Sequence, residues 1–120
     1  MKKILIADDA LIIRVMLSDI LAGGGHEVVG QAQNGIEAIA KYKELQPDLI
    51  TLDIVMPEMD GIAALEEILK ISPEAKIIMI SAIDQKESLI KAIKLGARDY
   101  IIKPFENIRV LASVKKILEG

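Results

Sequence analysis

Short apolar runs alternate with stretches of helical period along this chain, five times over. Residues 3–8, 27–31, 48–53, 76–81 and 99–102 read as strands, each followed by a segment whose apolar residues recur three and four apart. Most of the strand segments are apolar almost throughout, which suits burial on both faces. Alternation this strict predicts an α/β fold, a parallel sheet covered by helices on both sides through right-handed crossovers. Ligands of such sheets bind beyond the carboxyl ends of the strands, where the winding reverses. With 120 residues the chain reads as one domain, 1–120, large enough to bury a core.

The boundaries have local causes. Ile13, Met16, Leu17, Ile20 and Leu21 share one face of a first helix, which Gly23-Gly24-Gly25 ends. The strand at 27–31 is mixed in polarity and belongs at an edge of the sheet. Asn34 with Glu37 forms a capping box for a second helix carrying Ala38, Tyr42 and Leu45. Asp60 caps a third, with Ile62, Leu65, Ile68 and Leu69 inward and Ser72-Pro73 as the stop. Asp84 with Glu87 suggests another capping box, for a helix closed by Gly96. The last helix carries Leu111, Val114 and Leu118, while Val110 and Ile117 widen its stripe as either core or partner surface.

Composition narrows the function classes. A net charge of -3 argues against non-specific binding to nucleic acid or anionic membrane. There is no cysteine for disulfides or thiolate chemistry, and the one histidine, His26, cannot make a multi-histidine metal site. The apolar run after Met1-Lys2-Lys3 stops at two aspartates, too early for a signal peptide, and nothing approaches the roughly 20 apolar residues of a membrane span. A soluble cytoplasmic protein is expected.

Polar residues punctuate the ends of four of the runs: Asp8-Asp9, Asp53, Ser81 and Lys103. Singly, each has a local explanation, as a helix cap, a turn contact or an exposed loop lysine. Four such ends on one sheet edge make a common site the better account. Carboxylates about 4 Å apart repel by on the order of 4 kcal/mol at a surface-like dielectric, so neutralising Asp8 or Asp9 is expected to raise the metal-free melting temperature. A hard cation such as Mg2+ relieves that repulsion. A carboxylate can also attack phosphorus, with the cation, a hydroxyl and an ammonium meeting the three equatorial oxygens. Lys103 would have to reach roughly 10 Å across two strand spacings.

Asp8-Asp9, Asp53-Ile54-Val55-Met56-Pro57 with Asp60-Gly61, Ser81-Ala82 and Tyr100-Ile101-Ile102-Lys103-Pro104-Phe105 resemble the receiver domain of two-component response regulators. The likeness spans the chain. It implies a flavodoxin-like, doubly wound (βα)5 fold with strand order 2-1-3-4-5. It further implies that Asp53 is the phosphoacceptor, that Asp8, Asp9, Asp53 and the Val55 backbone carbonyl bind Mg2+, and that Ser81 and Lys103 hold the phosphoryl group. The Lys103-Pro104 bond is expected to be cis. Tyr100 occupies the family's switch position, and serine at Ser81, where threonine is commoner, implies a looser site with function retained.

Asn34-Gly35-Ile36-Glu37-Ala38 and Tyr42-Lys43-Glu44-Leu45 bring the likeness nearest to the stand-alone chemotaxis regulators. The implied partners are a sensor histidine kinase, the flagellar motor switch and a phosphatase. The protein is expected to be a monomer, with dimerisation reserved for the phosphorylated form. A phosphorelay carrier, a phosphate sink and the receiver of a longer regulator are the alternatives. An independent hydrolase of the dehalogenase type would need an acid–base aspartate where Val55 stands, so no independent enzyme is expected. A flavodoxin would need a phosphate loop where Asp8-Asp9 would repel one.

Overall fold

A computed structural model describes residues 2–120. Five strands alternate with five helices: β1 Lys3–Ala7, α1 Leu11–Gly23, β2 Glu27–Ala32, α2 Gly35–Leu45, β3 Leu49–Asp53, α3 Gly61–Ile71, β4 Ile77–Ala82, α4 Lys86–Leu95, β5 Asp99–Lys103 and α5 Asn107–Glu119. All strand pairs are parallel, in the order β2-β1-β3-β4-β5, the flavodoxin-like arrangement that the resemblance implied. Winding reverses beside β1. β2 lies at the edge, and its half-buried residues explain its mixed polarity.

Side chains alternate across each strand, so the sheet carries two cores. Leu5, Ile50, Leu52, Ile77 and Met79 pack under α2, α3 and α4 with Ala38, Leu65 and Ile68. Ile4, Ile6, Leu49, Ile78, Ile80 and Ile101 pack on the other face with Leu17 and Leu21 of α1 and Val110, Val114 and Ile117 of α5. Val110 and Ile117 are therefore core, and Leu111 and Leu118 lie half-buried at its border. On α1 the expected face is rotated slightly: Met16 is exposed, and Arg14 is buried in its place.

The helix ends follow the sequence with one exception. Asn34 Oδ1 accepts from the Glu37 amide at 2.8 Å, and Glu37 Oε1 reaches back to the Gln33 amide at 3.1 Å. Asp60 Oδ1 accepts from the Ala63 amide at 2.9 Å. After α1 the left-handed residue is Gly25, at φ 87. The capping box expected at Asp84 and Glu87 does not form. α4 begins after Gln85, whose side chain turns away from the helix to accept from the Ala82 amide at 2.8 Å.

One buried carboxylate ties β5 to α5. Asp99 accepts from the Ser113 hydroxyl at 2.6 Å and the Tyr100 amide at 2.8 Å, and Lys116 Nζ stands 3.2 Å away. Burial by itself would raise its pKa, but the bonds from Ser113, Tyr100, Lys116 and Arg109 outweigh burial and lower it from 3.8 to about 2. A carboxyl held low stabilises the fold above its unfolded pKa and loses that contribution as pH falls toward the folded value. Asp99→Ala is expected to cost about 2 kcal/mol at pH 7 by urea unfolding, with the difference from wild type shrinking below pH 4. A pH-independent difference would remove the electrostatic account.

Candidate phosphoryl and metal site

Parallel pairing in register brings the four polar strand ends to one edge. Ala7 pairs with Leu52, Asp53 with Ile80 and Ser81 with Ile102, so the residues at or just past these positions open on one crevice. Asp8, Asp9 and Asp53 each offer a carboxylate oxygen within 4.8 Å of the others. Lys103 spans the strands as its length allows: Nζ lies 3.0 Å from Asp8 Oδ2 and 3.4 Å from Asp53 Oδ1.

The electrostatics are uneven. Burial, then the neighbouring Asp8 charge, raises the Asp53 pKa from 3.8 to about 6 against the pull of Lys103. Burial would lower the Lys103 ammonium, but Asp8 and Asp53 outweigh it and hold the group above the ordinary lysine value. Asp8 is fully buried. Its Oδ1 accepts from the Ala10 amide at 2.9 Å, whereas Oδ2 has the Lys103 charge close by but no aligned hydrogen bond. We read that contact as an ion pair without directed bonding, because proximity alone does not satisfy the oxygen's lone pairs. An under-satisfied buried carboxylate oxygen beside two more carboxylates fits a hard cation. Asp8, Asp9 and Asp53 can supply its oxygens, and the exposed Val55 lies two residues beyond Asp53 in the loop after β3.

Ser81 is fully buried and donates to the Ala82 carbonyl at 3.1 Å, so its hydroxyl is engaged with the main chain. Tyr100 is not a core residue. The residue is 43% exposed, and its ring centre stands 5.9 Å from the Arg109 guanidinium. It borders a groove of about 540 Å³ between α4 and β5, walled by Ile83, Leu89, Ile90, Ile93 and Ile102. The Lys103–Pro104 bond is cis. His26 is half-buried at the opposite end of the sheet, away from this crevice.

Sequence reasoning missed the supports of this site. Arg14 donates from Nη1 to the Asp8 carbonyl at 2.8 Å and from Nε to Gln31 Oε1 at 3.0 Å. Its position, three before Leu17 and seven before Leu21, was a usable signal, because an arginine at that spacing lies on the buried face. Gly61, which follows Asp60 in the motif after β3, packs directly on the backbone of Asp53.

The chain matches the family model of the response regulator receiver domain over residues 4–115. It is 54% identical to the chemotaxis protein CheY of Thermotoga maritima, over 97% of each chain. CheY of Bacillus subtilis is equally similar, at 54% identity over 97% of each chain. Among solved structures, the CheX-CheY-BeF3-Mg+2 complex from Borrelia burgdorferi contains a chain matching with a TM-score of 0.91 at 37% identity, covering 97% of this chain and 88% of that one. A response regulator receiver domain protein from Clostridium thermocellum matches with a TM-score of 0.94 at 27% identity, over 99% and 95% of the two chains. With its crevice of three aspartates and a lysine at the carboxyl edge of a 2-1-3-4-5 sheet, this chain belongs to the response regulator receiver domain family.

Proposed function

We propose that the protein is a phosphoacceptor switch of the chemotaxis type, which takes a phosphoryl group on Asp53 from a sensor histidine kinase. The observation that carries this reading is the placement of Lys103 Nζ 3.4 Å from Asp53 beside the Asp8-Asp9-Asp53 cluster. A carboxylate nucleophile, a cationic clamp and oxygen ligands for a cation then stand within one crevice. Phosphoryl transfer needs positioning and charge compensation more than covalent machinery.

In the proposed transfer an Asp53 oxygen forms a bond to phosphorus as the donor's bond to phosphorus breaks, and the donor leaves with that electron pair. Asp53 must be ionised to attack, and a pKa of about 6 leaves it largely so at pH 7 while keeping it more basic than an ordinary aspartate. Mg2+, held by Asp8, Asp9, Asp53 and the Val55 carbonyl, would supply charge compensation for the phosphoryl oxygens. Lys103 is placed to neutralise a second oxygen. Ser81 reaches a third by giving up its bond to the Ala82 carbonyl. Val55 offers no proton-transferring side chain, so hydrolysis is left to water and the protein is no independent hydrolase.

The same motion supplies the output. When Ser81 turns inward it vacates space at the end of β4, into which the exposed Tyr100 ring can move. The groove between α4 and β5 changes shape in step, and a partner that binds one shape better shifts the equilibrium. The resemblance to chemotaxis CheY proteins supports the flagellar motor switch as that partner. The CheX-CheY complex supports a further protein partner for a chain of this type, and the phosphatase that the resemblance implies would act on the phosphorylated form.

Incubation with acetyl phosphate and magnesium should add one phosphoryl group by intact-protein mass spectrometry. The gain should vanish in EDTA and in Asp53→Asn. No gain under any condition would reduce the protein to a binding module. Once a gain is seen, phosphorylation-dependent capture by a motor-switch peptide, compared with a histidine phosphotransfer domain, separates the chemotaxis output from a phosphorelay carrier.

A further inference from the structure

We infer that Arg14 is a positioning residue for the metal-binding pair, setting the direction of Asp9 through the main chain of Asp8. This deepens the proposed function and rests on the acidic cluster being a cation site. Arg14 is a buried guanidinium, 8% exposed, and it pairs with no carboxylate among the described residues. Burying a charge without an opposite charge is costly, and its compensation here is a set of neutral acceptors. Nη1 donates to the Asp8 carbonyl at 2.8 Å, and Nε to Gln31 Oε1 at 3.0 Å. Gln31 is itself fixed, since its Nε2 donates to Ser18 Oγ at 3.3 Å and its carbonyl accepts from Lys41 Nζ. The guanidinium is thus braced between α1 and the edge strand, with one fork on the turn that carries the acidic pair.

The peptide between Asp8 and Asp9 is planar, so fixing the Asp8 carbonyl also fixes the Asp9 nitrogen and the departure of its Cα. Asp8 has other anchors: its amide donates to the Ala32 carbonyl at 3.0 Å, and its side chain meets the Ala10 amide and Lys103. Asp9 is exposed and takes its direction from the backbone it hangs on. Without Arg14 that peptide can rotate, and the carboxylate oxygens of the two aspartates no longer converge. Groups outside the ligand set that orient ligands in this way typically govern affinity by roughly 10- to 100-fold.

The test is magnesium titration calorimetry on Arg14→Gln, Arg14→Lys and a control truncation on the same helix, Ile20→Ala. Amide hydrogen exchange at Ala10 without metal is a second readout. Arg14→Gln is expected to weaken magnesium binding by about 10-fold or more and to speed Ala10 exchange relative to global unfolding. Arg14→Lys, which keeps one donor for the Asp8 carbonyl, should recover part of both. Ile20→Ala should lower the melting temperature and leave magnesium affinity alone. Affinity in Arg14→Gln within about twofold of wild type overturns the proposal, as does an equal loss in Ile20→Ala. Absence of magnesium binding by the wild-type protein overturns the cation-site reading itself. That outcome is distinct, because it appears before any variant is compared.

Discussion

In EDTA at pH 7, Asp53→Asn should melt above the wild-type protein. A carboxyl whose pKa is raised from 3.8 to about 6 on folding binds its proton more tightly in the folded state than in the unfolded chain. Its contribution therefore favours the fold at acid pH and is lost as pH rises from the unfolded value through the folded one. Above about pH 6 the full cost is present, about 3 kcal/mol for a shift of this size. Asparagine keeps the shape and removes the charge, so a gain of about 1–3 kcal/mol is expected, or several degrees in a domain of this length. The gain should shrink between pH 6 and pH 4 as the wild-type carboxyl takes up its proton. Magnesium should reverse the comparison, because bound ligand stabilises wild type by about 2.7 kcal/mol at 100 times its dissociation constant and the variant far less. Equal melting of the two proteins in EDTA at pH 7 would show that burial and Asp8 do not strain Asp53.

Repulsion is not the only force on the Asp8 carboxylate. Its charge is met by Lys103 Nζ at 3.0 Å, and its Oδ1 holds the Ala10 amide. Neutralising Asp8 would relieve Asp53 but weaken the contact that holds Lys103, so its effect on melting is expected to be smaller than that of Asp53→Asn. The exposed Asp9 has less repulsion to relieve. The larger gain in metal-free stability is therefore expected at Asp53.

The alternation of periods was enough to identify a parallel α/β sheet, because apolar strands and amphipathic helices differ in repeat and little else fits five repetitions in 120 residues. Asp8, Asp9, Asp53, Ser81 and Lys103 stood out because each interrupts an apolar run at its carboxyl end. Strand order was legible only through the family resemblance, since periodicity carries no information on which strands are neighbours. Contacts made through the main chain stayed hidden for a related reason. Arg14 donates to a carbonyl that any residue at position 8 would present, so no side-chain pattern marks the contact. Asp84 failed as a cap because Gln85 closes the turn by bonding the Ala82 amide, a three-residue competition that a capping motif does not weigh.

Gly61→Ala should be the most damaging single-atom addition in the chain. A Cβ on Gly61 would stand 2.1 Å from the Asp53 carbonyl oxygen, 2.9 Å from the Asp53 carbonyl carbon and 3.0 Å from Ile54 Cα. All three are main-chain atoms in or beside the central strand, so no rotamer change gives room. The Gly61 amide also donates to the Ile54 carbonyl at 2.8 Å, which pins the start of α3 against the loop leaving β3. Relief requires α3 to withdraw, dragging Ile62, Leu65 and Ile68 from the core, or the Asp53 peptide to rotate and turn its carboxylate away from Lys103. Overpacking a side chain costs about 1–3 kcal/mol, and collision with fixed backbone belongs at or above the top of that range. A fall in melting temperature of roughly 10 °C or more is expected, with slower phosphoryl uptake from acetyl phosphate in whatever remains folded. Gly23→Ala makes the matched control: it adds the same methyl in a helix where nothing lies within 4 Å, and should hold or slightly raise stability. Loss in both variants would point to a general glycine effect. Loss in Gly61→Ala alone ties the geometry of Asp53 to the close seating of α3 on its own backbone.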